Sequence, residues 1–165
     1  MCARSTDPVA NRRQRGFTMV ELILVMVMLG ILAVTMLPRM DVAASMGSVA
    51  WREQVLSALR EAHSLAQAHR RLVCVSVGGS AVTLTIADQF GATACNQPWL
   101  GPDRDSRYAY TTNAPATSVS PAGTLYFQPS GRVTSDGAGT TSLNASIAVA
   151  GESAIAVVGE TGSLQ

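Results

Sequence analysis

Lysine is absent from this 165-residue chain, and its twelve cationic side chains are all arginine. Aromatic residues make up only 5%. That excludes a large aromatic core, and the abundance of Gly, Ser, Thr and Ala in the second half favours short strands and turns. Histidine occurs twice, at His63 and His69. On a helix that spacing does not put both rings on one face, as H-x-x-x-H ligands require, so a solvent-side and a core-edge histidine are expected. There are three cysteines and no C-x-x-C, and Cys74 and Cys95 cannot by themselves make a structural zinc site. No G-x-S-x-G occurs, nor any other catalytic constellation, so the chain reads as a non-enzyme without cofactor or metal. Asp103 and Asp105 offer two carboxylates near one another, but two without a fuller oxygen set read as a solvated loop rather than a calcium site. Trp99, Tyr108 and Tyr110 read as core or loop packing rather than an exposed patch.

Charge is unevenly placed. Arg4, Arg12, Arg13 and Arg15 precede Phe17 with only Asp7 against them. Without residues 1–16, 8 Arg stand against 10 Asp/Glu, a formal −2. A mildly acidic body is a poor electrostatic match for nucleic acid.

The long apolar run is Phe17 to Leu37, 21 residues carrying one charge, Glu21. A helix of that length covers about 31 Å, which matches a hydrocarbon core of about 30 Å. A core helix in so small a domain would rarely be apolar on every face. Three arginines sit just before the run and Arg39 alone just after, so the positive-inside rule predicts a single pass with the N-terminus cytoplasmic and the bulk of the chain across the membrane. A secretory signal fits poorly, because Leu37-Pro38-Arg39-Met40 offers no small-residue cleavage site.

An acid in an apolar run is costly, less so near its end. Thr18-Met19-Val20-Glu21 spells a capping box, T-x-x-E, in which an acid suits the helix N-terminus. The second reading gives Glu21 a partner cation from outside the run, since none lies within it.

Gly16-Phe17-Thr18-Met19-Val20-Glu21, followed by the unbroken apolar run, resembles the class III signal of type IV prepilins and pseudopilins. The resemblance implies cleavage of the 1–16 leader between Gly16 and Phe17 by a prepilin peptidase, N-methylation of Phe17, and retention of the apolar helix. It also implies that Glu21 pairs with the Phe17 ammonium of a neighbouring pilin, a pairing that a low-dielectric setting makes selective. Gly30 and Pro38 fall where pilin helices carry a glycine and a helix-bending proline, which makes residues 30–38 a candidate flexible stretch. Each also has a local reading, in close helix packing for Gly30 and helix termination for Pro38.

The expected fold is α+β and pilin-like: a long N-terminal helix, membrane-spanning in its first half and amphipathic in its second, packed on antiparallel sheet. Residues 38–71 form linker and amphipathic helix, with Trp51, Val55, Leu59, Ala62, Ala66 and His69 at helical spacing. Residues 41–48 are a weak spot in one helix or a break between two. Residues 72–165 form a β-rich globular domain, with hairpins at 72–86 and 143–158 and strands near 108–112, 124–128 and 132–134. Residues 55–77 and the turn Phe127-Gln128-Pro129-Ser130-Gly131-Arg132 resemble the GspH/FimT-type minor pseudopilins, and among these the MshC-type proteins of MSHA pili. Expected partners are prepilin peptidase, other pilins and inner-membrane lipid, with DNA capture of the FimT kind as the alternative. The topology puts Cys74 and Cys95 in a compartment that permits disulfides. A bridge is preferred over two free thiols and would contribute roughly 3 kcal/mol.

Overall fold

The computed structural model describes residues 18–36 and 39–165. They fall into two compact units, residues 1–40 and 41–165.

In the first unit, helix α1 spans Met19–Met36. Thr18 precedes it in a non-helical conformation, and Leu22 N–H donates to the Thr18 carbonyl at 3.1 Å, the first bond of the helical ladder. Leu, Met, Val and Ile fill it with no period, so it has no polar face. Its 18 residues amount to about 27 Å. Among the described residues no helix is long and apolar enough to cross a membrane. Both ends of the 21-residue apolar run, Phe17 and Leu37, lie outside those residues, as does Pro38.

Helix α2 spans Arg39–His69 without interruption, so the small polar stretch 41–48 is helical and Gly47 does not break it. Its buried side chains recur at three and four residues: Ser48, Trp51, Val55, Ala58/Leu59, Ala62, Leu65/Ala66. Its end is set by Arg70, at φ 52°. Arg71 N–H donates back to the Ala66 carbonyl at 3.2 Å, the wide bond of a Schellman stop. His69, expected on the buried stripe, is exposed, because the helix ends there and the chain turns away.

Nine strands follow. The first sheet contains β1 (Val73–Val77), β2 (Ala81–Ile86), β3 (Gln97–Trp99), β4 (Ala109–Tyr110), β6 (Leu125–Phe127) and β7 (Val133–Thr134), in the order β3-β2-β1-β6-β7 with β4 also on β2. The second sheet is β5 (Thr117–Ser120), β8 (Ala145–Val149) and β9 (Ile155–Val157), in the order β5-β8-β9. All pairings are antiparallel. The alternation in β2 puts Val82, Leu84 and Ile86 inside, and that in β8 puts Ala145, Ile147 and Val149 inside. These side chains join the stripe of α2 in one core, in which Trp51, Phe127, Leu59, Leu84 and Leu125 are the largest fully buried members. The architecture is α+β, a helix packed with antiparallel sheets, consistent with a pilin-like layout.

Both hairpins and the strands near 108–112, 124–128 and 132–134 stand where expected. Two strands differ. Gln97–Trp99 and Thr117–Ser120 are paired, on β2 and β8 respectively, although neither is among the strands expected from the sequence.

Candidate assembly segment and the turns behind it

At the start of α1, the Thr18 hydroxyl accepts from Glu21 N–H at 3.3 Å. Thr18 is thus the N-cap, and the acid occupies the third helical position, where the helix dipole favours it. Among the described residues Glu21 forms no ion pair. It is exposed, as is every described side chain from Thr18 to Ala33. Even the more covered large side chains of α1, such as Val25 at 47% and Leu24 at 53%, stay about half exposed. A Cβ added at Gly30 would meet only open space. The helix continues through Gly30 to Met36. Gly16 and Phe17, the junction expected to be cut and methylated, lie outside the described residues.

In the second unit, the upper part of α2 is pinned to the second sheet. The Trp51 indole N–H donates to Thr117 Oγ1 at 2.9 Å, and that hydroxyl donates on to the Pro115 carbonyl at 2.9 Å. Ser48 Oγ donates to Glu152 Oε1 at 2.7 Å, and Arg52 Nε to the Ser153 carbonyl at 2.9 Å.

The turn Phe127–Arg132 docks the other end. Gly131 N–H closes it onto the Gln128 carbonyl at 2.9 Å, with Gly131 at φ 89°. Arg132 reaches Glu160 at 3.3 Å, and Ser142 Oγ donates to the same carboxylate oxygen. The Ser142 hydroxyl, and after it the Arg132 charge, hold the Glu160 carboxyl below its ordinary range. His63, half-buried, sits 3.0 Å from the Gly162 carbonyl through Nδ1 and 2.9 Å from Gln67 through Nε2. His63 is therefore the core-edge histidine, and His69 lies edge-on to Trp99 with ring centroids 5.7 Å apart. Gly162 has φ 66°, and a Cβ there would collide with the Gly131 carbonyl. In the glycine-rich loop 135–141, Asp136 accepts from Thr140 N–H and Oγ1 at 3.1 and 2.8 Å. These bonds, the hydroxyl's first, lower its pKa.

A disulfide joins Cys74 and Cys95, with Cα atoms 6.1 Å apart. With Leu72 and Ala87 they form a second small apolar cluster on the outer side of β1. Asp103 and Asp105 are turned to loop bonds: Asp103 Oδ1 accepts from Asp105 N–H at 3.2 Å. Asp105 takes both a backbone and a bidentate side-chain contact from Arg107, whose hydrogen bonds depress its pKa. Arg107 lies 4.0 Å over the Tyr110 ring. Trp99 and Tyr108 pack against the core, while Tyr110 stays partly exposed. Neither the Arg132–Glu160–Ser142 contact nor the left-handed Arg70 had a signal in the sequence, since each depends on where a distant turn comes to rest.

One family description matches the chain: the prokaryotic N-terminal methylation motif, over residues 11–37. No curated protein and no solved structure matches it. The matched stretch covers the basic flank, the Gly16-Phe17 junction, Glu21 and the apolar run. Such a motif marks a type IV pilin-like or pseudopilin subunit, a structural component. It implies processing by a prepilin peptidase, anchoring in a membrane, and assembly with other pilins.

Proposed function

We propose that the protein is a minor subunit of an extracytoplasmic filament, of GspH/FimT type, serving an MSHA-like type IV pilus or a type II secretion pseudopilus. In this reading the chain waits in the inner membrane with residues 1–16 cytoplasmic and residues 72–165 periplasmic. Cleavage after Gly16 frees the Phe17 amine, which is then methylated. Glu21 pairs with that ammonium on a neighbouring subunit, and α1 packs into the filament core. Residues 30–38, bounded by Gly30 and Pro38, supply the bend.

The observation that carries this reading is an apolar helix whose described side chains are all exposed, with its single acid in the first turn, where Thr18 caps the helix, inside the matched motif. Such a surface is stable only when lipid or other helices cover it. An acid placed among apolar neighbours calls for a cation supplied by the assembly. Mass spectrometry of the protein recovered from cells is expected to find an N-terminal methylated phenylalanine, Phe17; a chain still carrying residues 1–16 would sink the reading. Glu21→Ala is expected to leave cleavage and insertion intact but to lower the fraction of subunit recovered in sheared filaments by about a hundredfold or more, since a charge left without its partner away from water costs about 3–5 kcal/mol. Equal recovery would rule the pairing out.

DNA capture draws less support. Of the three arginines beyond Arg71, Arg107 is held by Asp105 and Arg132 by Glu160, which leaves Arg104. One cation gives little phosphate affinity.

A further inference from the structure

We propose that the outer face of the first sheet is a binding cleft for uncharged pyranose oligosaccharides, walled on one side by the Cys74–Cys95 bridge. The strand register builds it. Ser76 stands opposite Thr83, and Cys74 stands opposite both Thr85 on β2 and Tyr126 on β6. Residues directly opposite share a face, and here it is the face turned away from α2, since Val73, Val75 and Leu84 occupy the core side. Thr124 lies two residues before Tyr126 and joins it on that side. The disulfide holds the 93–95 loop beside this face and brings Thr93 to its rim. The resulting cleft encloses about 330 Å³, within the range of small-ligand sites.

Its chemistry is selective. Five of its side chains are aliphatic hydroxyls and one is a phenol, and none of its lining residues is Asp, Glu, Arg or His. Among the described residues the hydroxyls of Ser76, Thr83, Thr85, Thr93, Thr124 and Tyr126 make no hydrogen bond to protein. A hydroxyl both donates and accepts, so a row of unpartnered ones complements a ligand whose own groups are hydroxyls. A charged ligand would lose water without finding a countercharge. The half-buried Tyr126 ring adds an apolar surface beside a polar tip, the combination a pyranose face presents in return.

The test is calorimetric titration of the full chain, disulfide intact, in zwitterionic micelles, with cellopentaose, maltopentaose and chitopentaose as probes and polygalacturonate and dextran sulfate as charged controls. At least one neutral pentamer is expected to bind saturably. Thr83→Val with Thr85→Val keeps shape and β-branching while deleting two hydroxyls, and is expected to weaken that binding about tenfold, two lost hydrogen bonds of about 0.5–1.5 kcal/mol each. Tyr126→Phe deletes the phenol alone and provides a second, milder variant should the double change shift the unfolding midpoint. Reduction of the bridge is expected to weaken binding as well, because the loop wall is released. Absence of binding by all three neutral pentamers, binding by the charged polymers only, or undiminished binding by both variants overturns the proposal.

Discussion

Helix α1 and the 47–69 part of α2 use hydrophobic residues in opposite ways. In α2 the apolar residues repeat along one face, and that face is covered by two sheets of the same chain. In α1 they run all the way round and, among the described residues, stay exposed; Met19 is 85% exposed where Trp51 is 1%. Pattern, more than hydrophobicity itself, separates a helix that stabilises its own domain from one that needs cover from elsewhere. Only the stripe of α2 converts apolar area into folding free energy, at roughly 25 cal/mol per Å² buried.

Truncation on the two helices gives the largest contrast. Trp51→Ala is expected to cost the globular unit about 3–5 kcal/mol by leaving a cavity and by removing the indole N–H that Thr117 Oγ1 accepts. Leu24→Ala in α1 is expected to leave its unfolding unchanged. Thermal and denaturant unfolding in micelles measure both, and a similar loss for the two would erase the distinction. Next in size, reduction of the Cys74–Cys95 bridge is expected to remove about 3 kcal/mol from the same unit, again with no effect on α1. A midpoint insensitive to reductant would show that the outer cluster is held by packing alone. Smaller still, Arg70→Gly is expected to raise stability by about 0.5 kcal/mol, because glycine accepts the left-handed turn that arginine enters at a cost, less the entropy it adds to the unfolded chain. Denaturant midpoints of the two proteins decide the sign.

The weakest effect is expected from acid. Asp136 and Glu160 have folded-state pKa values below their ordinary ones. Their contribution is therefore complete above the unfolded value and is lost as pH falls through the folded one. Unfolding midpoints should stay level near neutrality and decline below about pH 4, less steeply in Asp136→Asn. A decline already under way at pH 6 would point to another group.

What could be read in advance follows the same division. The stripe Trp51, Val55, Leu59, Ala62, Ala66 was legible because a helical period needs no knowledge of its partner, and the hairpins because their strands are adjacent in sequence. Strand Thr117–Ser120 was not. It carries one apolar residue, and its pairing with β8 spans a loop that no local pattern encodes. Gln97–Trp99 was obscured by Pro98, which sits on an edge strand where its missing N–H does no harm. Of the candidate assembly segment, Thr18 and Glu21 were legible as a cap; the hydroxyl cleft was not, since Ser76, Thr83 and Tyr126 become neighbours only through strand register.

The corner where Gly131 meets Gly162 constrains how this chain can vary. The two turns lie thirty-one positions apart (131 to 162), yet a methyl on Gly162 would strike the Gly131 carbonyl and the His63 ring, whereas one on Gly131 would first meet the movable amide end of Gln67. A larger residue at 162 would push on fixed backbone, while at 131 the left-handed φ of 89° is the stronger constraint, so the later glycine should be the harder one to replace.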